Sequence, residues 1–192
     1  MNEKKFLVDY FNECKKFLNK ADIADTIIEA KKVILATKES GGQLIFAGNG
    51  ASASIANHAS LDFTKQGKVR SVNFNESAFI TAFSNDYGYE NWIEKALGFY
   101  ASAGDTLILI SSSGTSPNVV NAAKYANHNG INVITFTGFE SNNPLKTAGD
   151  INFWLDCRAY NMIEGIHQLW LLAICDLIIG KIEYSVSLRA KI

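Results

Sequence analysis

Short apolar runs alternate along this chain with longer amphipathic stretches, and most switches fall at glycine or at clusters of small polar residues. Residues 43–47, 106–110, 131–137 and 151–155 have the length and β-branched or aromatic content of buried strands, and 69–74 is a weaker candidate. Helical spacing dominates elsewhere. Phe6, Tyr10, Phe11, Phe17 and Leu18 mark one stretch, and Ile23, Ile27, Ile28, Ala30, Val33 and Ile34 a second, stopped by Gly41-Gly42. Further helices are predicted through Ile55, His58, Leu61 and Phe63, over 77–83, over 92–101, over 118–129 and over 162–182. Strands alternating with helices predict an α/β fold, a parallel sheet covered on both faces. In such sheets ligands gather outside the carboxyl ends of the strands.

The last helix is apolar nearly all round, with Ile163, Ile166, Leu169, Trp170, Leu171, Leu172, Ile174, Leu177 and Ile178. A helix without a polar face is buried on all sides. One layered domain rarely offers that, so a subunit interface is expected here, with the N-terminal helices contributing. Trp92, Trp154 and Trp170 are expected to pack in cores or interfaces.

The 192 residues suffice for one domain, 1–192, in which an N-terminal helical region (1–40) packs on an α/β core (43–182). With 47% apolar residues and a net charge of −1, the chain has the balance of a soluble globular protein and no basic stripe for nucleic acid. Cys14, Cys157 and Cys175 are odd in number and widely spaced, as structural thiols of a reducing compartment are. No signal-like stretch and no membrane-length run is read, so a cytoplasmic location is expected.

The chemistry is concentrated in two turns. Ser111-Ser112-Ser113-Gly114-Thr115-Ser116 follows the strand at 106–110 and precedes Pro117, a helix-start residue. Five hydroxyls, a glycine and a helix N-terminus at one point make a site for a phosphate-sized anion, more than an ordinary cap needs. The second turn, Gly48-Asn49-Gly50-Ala51-Ser52, follows the strand at 43–47. It lacks the full dinucleotide-binding glycine spacing, since position 53 is alanine, and there is no Walker-type lysine, so no nucleotide cofactor is expected.

Gly48-Asn49-Gly50-Ala51-Ser52, Asn85-Asp86-Tyr87-Gly88-Tyr89-Glu90, Gly104-Asp105-Thr106-Leu107-Ile108 and the segment from Ile110 to Val119 together resemble sugar-isomerase (SIS) domains, in particular their phosphoheptose isomerase branch. The resemblance runs nearly the whole length of the chain. It implies a three-layer αβα sandwich with a five-stranded parallel sheet, N-terminal helices and a buried C-terminal helix, assembled as a homotetramer or homodimer. It also implies a sugar-phosphate substrate, with sedoheptulose 7-phosphate and D-glycero-D-manno-heptose 7-phosphate interconverted for glycan synthesis. Neither nucleic acid nor membrane is an implied partner.

Carried over residue by residue, the resemblance puts the phosphate on Ser111, Ser112, Ser113 and Ser116. Asn49, Gly50 and Ser52 then contact the sugar phosphate from the first turn, and Asp86 faces the sugar hydroxyls. His58 keeps a family histidine, Asp62 stands for a family glutamate, Glu164 for a glutamine, and Leu172 for a second histidine. His58, Asp62 and Glu164 are the expected catalytic groups. They could form a metal site, with zinc the ion implied, or an acid–base set. His167 reads as a core or interface histidine, His128 as an idle surface residue, and Lys65, Lys68 and Arg70 as a solvated loop; Arg158 is given no role. Some relatives lacking the last-helix histidine act through protein contacts, one of them with a replication initiator. A non-catalytic phosphosugar-binding or protein-interaction module is therefore the alternative to an isomerase.

Overall fold

The computed structural model describes residues 1–182. Two helices, α1 (Glu3–Leu18) and α2 (Ile23–Glu39), precede β1 (Leu44–Gly48) and α3 (Ala51–Lys65). Then follow β2 (Ser71–Asn73), α4 (Ser77–Tyr87), α5 (Trp92–Tyr100), β3 (Thr106–Ser111) and α6 (Pro117–His128). The chain continues through β4 (Asn132–Thr137), α7 (Pro144–Ala148), β5 (Ile151–Trp154) and α8 (Tyr160–Ile179). All strand pairs are parallel, in the order β2-β1-β3-β4-β5.

Alternation along each strand builds two cores. Leu44 and Phe46 of β1, Ile108 and Ile110 of β3, and Ile134 and Phe136 of β4 face α2, α3 and α8. Ile45, Ala47, Leu107, Leu109 and Val133 face the opposite layer, with α5 and α6. Strands covered on both sides bury nearly every position: β1 and β3 are buried at every residue, and β4 at all but its first, Asn132. Phe136 stacks on Phe153 with centroids 4.3 Å apart, closing the first core at the β4–β5 edge.

Three elements differ from expectation. The helix after Ser77 runs on to Tyr87, because no breaker intervenes before Gly88 (φ 84°). The last helix stops at Ile179, where Gly180 in the left-handed region caps it. The short α7 is additional: Asn143 accepts from the Lys146 amide as N-cap and Pro144 takes the first helical position, a start signal present in the sequence.

A single chain encloses the last helix on its inner side only, as expected of a helix that one domain cannot cover. In one chain, Asn161, Gly165, Leu169, Ala173 and Leu177 form an outward stripe, while Ile163, Ile166, Trp170 and Ile174 sit in the core. At 20 residues it is long and apolar enough to cross a membrane by length and composition, contrary to the expectation that no such run exists. Its inward face is instead the cover of the sheet. Beside it, α1 buries no residue and exposes Phe6, Leu7, Val8 and Phe11.

The strand order reverses between β1 and β3, since β1 leads to β2 on one side and β3 to β4 on the other. Their carboxyl ends diverge there and leave a crevice. Gly48 and Ile110 are register partners at its floor.

Candidate functional site

Both polar turns open on this crevice. Asn49 and Ser52 come from the β1 turn, Ser111, Ser112, Ser113 and Ser116 from the β3 turn, and Tyr160 and Glu164 from the start of α8; together they line a pocket of about 130 Å³. Three helices aim their N-termini at this pocket. Gly50, Ser116 and Ala159 are the N-cap residues of α3, α6 and α8, and none makes a side-chain capping bond. Three uncapped N-termini sum their free N–H groups and positive dipole ends in one small space.

The hydroxyls divide into two roles. Ser113 Oγ accepts from the Thr115 amide (3.3 Å) and from Thr115 Oγ1 (3.0 Å), and Ser111 Oγ accepts from the Gly114 amide (3.2 Å). Those bonds set the turn. Ser112 Oγ is buried and has no partner, and the Ser116 hydroxyl has only a long 3.5 Å approach to Ser111 Oγ. A buried, unpaired hydroxyl is costly unless something arrives to pair with it. Gly114 adopts φ 66°, and its neighbour Leu145 N–H donates to its carbonyl, so α7 props the turn from behind.

Asn49 is fixed by a reciprocal amide pair. Asn118 Nδ2 donates to Asn49 Oδ1 (2.8 Å) and Asn49 Nδ2 to Asn118 Oδ1 (2.9 Å), with Asn118 only 1% exposed. Tyr89 OH also donates to Asn49 Oδ1 (3.1 Å). Asn118, Tyr89 and Tyr160 are site residues that sequence reasoning passed over; the Asn118 signal was a polar residue beside Val119 and Val120 in the first turn of the helix, directly after the serine turn.

A second cleft of about 410 Å³ adjoins the pocket and shares Glu164 with it; its other walls are Ala51, Ser54, Ile55, His58, Gly165 and Gln168. Burial pushes the Glu164 carboxyl above the ordinary carboxylate range. His58 and Asp62, one turn apart on α3, form an ion-pair contact through Nε2 and Oδ2 at 3.2 Å. Asp62 stands behind the imidazole, where burial and the Asp62 charge raise the Asp176 carboxyl and burial, Asp62 and Asp176 push the Cys175 thiol up to about 12. On the other side, Gln168 Nε2 lies 3.0 Å from His58 Nδ1. Gln168 was also missed, although it follows Glu164 by one helical turn and interrupts the same apolar run.

The expected metal trio of His58, Asp62 and Glu164 is not gathered. Both ring nitrogens of His58 are engaged by Asp62 and Gln168, and Asp62 does not line the cleft that Glu164 lines. Among the described residues, no three His, Cys, Asp or Glu side chains stand in a metal-holding group. Asp86 lies exposed near the end of α4, its carboxylate accepting from Asn85, and lines neither the pocket nor the cleft. Leu172 lines a separate apolar groove with Leu169, Ala173 and Leu177.

The remaining candidates are structural or superficial. His167 is fully buried on α8, with Nε2 bonded to the Thr137 carbonyl (3.1 Å), and burial lowers its pKa to about 4. The exposed His128 contacts its own helix at the Lys124 carbonyl, and Arg158 pairs with Glu140.

A SIS domain model matches residues 9–138. The phosphoheptose isomerase of Aliarcobacter butzleri is 30% identical over 184 residues, spanning 88% of this chain and 97% of that protein. The solved phosphoheptose isomerase of Neisseria gonorrhoeae matches with a TM-score of 0.83 and 27% identity, over 91% of this chain and 98% of its own. That of Francisella tularensis matches with a TM-score of 0.83 and 26% identity, over 94% and 100%. With two thirds of its length matched by one domain model and its sheet and helices shared with those enzymes, the chain belongs to the SIS domain family.

Proposed function

We propose that this protein is a phosphosugar isomerase interconverting sedoheptulose 7-phosphate and D-glycero-D-manno-heptose 7-phosphate. The observation that carries the reading is the unpaired, buried Ser112 hydroxyl inside a pocket where three uncapped helix N-termini meet. That pocket suits a phosphate dianion. The adjoining cleft gives the sugar chain a place beside Glu164 and His58. The phosphoheptose isomerases named above support the choice of substrate.

The chemistry follows from the arrangement. Ser112 and Ser116 take the phosphate, with Ser111 and Ser113 holding the turn and Asn49, Gly50 and Ser52 forming its other wall. Glu164 sits where pocket and cleft join, so a sugar anchored by its phosphate passes it. A partly desolvated carboxylate is the better base near neutral pH. Glu164 takes the proton from C1 of the ketose and returns it to C2, while His58, backed by Asp62, carries the O1 proton to O2. Asp86 would reach the sugar hydroxyls from the rim. The zinc ion that the resemblance implies does not fit the donor set as arranged, and no step here passes through it. The outward apolar stripes of α1 and α8 support a homotetramer, and three free thiols support a reducing, cytoplasmic setting.

The test is a coupled turnover assay with sedoheptulose 7-phosphate on metal-free and zinc-supplemented protein, with Glu164→Gln as the control variant. Product from the parent protein, and a loss of about a hundredfold or more in the variant with phosphosugar binding retained, is expected. Equal turnover in parent and variant would remove Glu164 from the mechanism. Leu172, where the family has a histidine, favours the second reading, a non-catalytic phosphosugar sensor; tight binding without product under either metal condition is its signature.

A further inference from the structure

The polar side chain that contacts His58 from α8 is one to which neither the motifs nor the comparisons give a role. Glu164 and Gln168 are one turn apart on α8, and His58 faces them from α3 across the cleft. Gln168 Nε2 approaches His58 Nδ1 at 3.0 Å, and His58 Nε2 meets Asp62 Oδ2 at 3.2 Å. A carboxamide nitrogen can only donate, so Nδ1 must accept with its lone pair. A neutral ring then carries its proton on Nε2, where the Asp62 carboxylate accepts it. The two contacts impose one tautomer from opposite sides, and which nitrogen is protonated is set by such bonds.

We propose that Gln168 is a positioning residue: its carboxamide holds His58 in the Nε2–H tautomer, with the Nδ1 lone pair presented to the cleft that Glu164 shares. A fixed side-chain donor thus orients the imidazole, a task a bound cation could otherwise perform. An incoming sugar hydroxyl takes over the Nδ1 bond from Gln168 and finds the lone pair already aimed. The consequence for turnover rests on the isomerase reading; the tautomer itself does not.

Two variants separate donor from shape. Gln168→Glu keeps the length but can only accept, and Gln168→Leu removes the polar contact. Nitrogen-15 NMR of histidine-labelled protein reads the tautomer directly; there are three histidines, and His58→Gln assigns the signal. In the parent protein, His58 Nε2 is expected protonated and Nδ1 bare. In Gln168→Glu the Nδ1 signal should move to the protonated range, and in Gln168→Leu the two tautomers should mix. In turnover, kcat should fall about tenfold to a hundredfold in both variants while KM moves less than about twofold. A protonated Nδ1 in the parent protein, or an identical His58 spectrum in all three proteins, overturns the proposal. So does a shift of the parent His58 signals to metal-bound positions on adding stoichiometric zinc. If no sugar phosphate turns over, the isomerase reading fails, and the spectra still decide what Gln168 does.

Discussion

Ser112 shows how a single side chain can work against the fold, and on the proposed function it does so for the ligand. Its hydroxyl is desolvated and unpaired in the free protein. Ser112→Ala should therefore raise stability by about 1 kcal/mol while weakening phosphosugar binding about tenfold, read by urea unfolding and by calorimetry. His167 has the opposite logic, a polar group kept neutral for the sake of the core. Its folded pKa of about 4 lies below the ordinary 6.5, so between those values the unfolded chain takes up a proton that the folded chain refuses. Stability is thus complete above the unfolded value and drains away as pH falls. The loss from this residue is about 2 kcal/mol at pH 5 relative to pH 7. His167→Gln, which can still donate to Thr137, should flatten that part of the profile; an unchanged slope would acquit the histidine. These residues were unequally legible. The serine cluster announced itself by composition, and a lone histidine in an apolar helix read as core. Gln168 drew no notice and Asn118 none beyond a helix start and a motif position, because an amide takes its meaning only from the partner opposite, and partners across 69 or 110 positions of chain have no periodicity to betray them.

At the level of elements, strand and helix existence was read from apolar period and from glycine. What escaped was termination: α4 overran for want of a breaker, and α8 ended at a left-handed glycine inside the apolar run. The β1–α3 junction is where element geometry and site coincide. A Cβ on Gly48 would meet the Ile110 carbonyl and Ser52 Cβ, each at 2.8 Å. Neither neighbour is the free end of a flexible chain, so β1 would have to move away from β3 or α3 would have to back off. Gly48→Ala should cost about 1–3 kcal/mol. It should also weaken phosphosugar binding, because the displaced residues line the pocket. Denaturant midpoints with and without ligand would separate the two effects; full affinity in a destabilised variant would show that the close packing serves the fold alone.

Over the whole molecule, the two cores divide labour. The α8 layer leaves Leu169, Ala173 and Leu177 outward beside an α1 that buries nothing, whereas the α5–α6 layer exposes Phe99 and Tyr100 at the end of α5. Sequence reasoning saw the surplus of apolar residues in α8 but could not say which face carried it, since an all-apolar helix has no period. If a second copy covers this stripe, Leu177→Glu should shift sedimentation toward smaller species by weakening association about a hundredfold or more, with the far-ultraviolet spectrum unchanged. Unaltered sedimentation would place the interface elsewhere. The three uncapped helices at the crevice carry a broader consequence. Helices α3, α6 and α8 come from separate stretches of chain and from both sides of the sheet, and each lacks its own terminal partner. On the proposed function, a phosphate bound among them would act as a keystone that can be inserted and withdrawn. At a hundred times its dissociation constant it would add about 2.7 kcal/mol to the folded state. The cell's supply of phosphorylated sugar would then govern how long each copy of the protein survives as well as how fast it works.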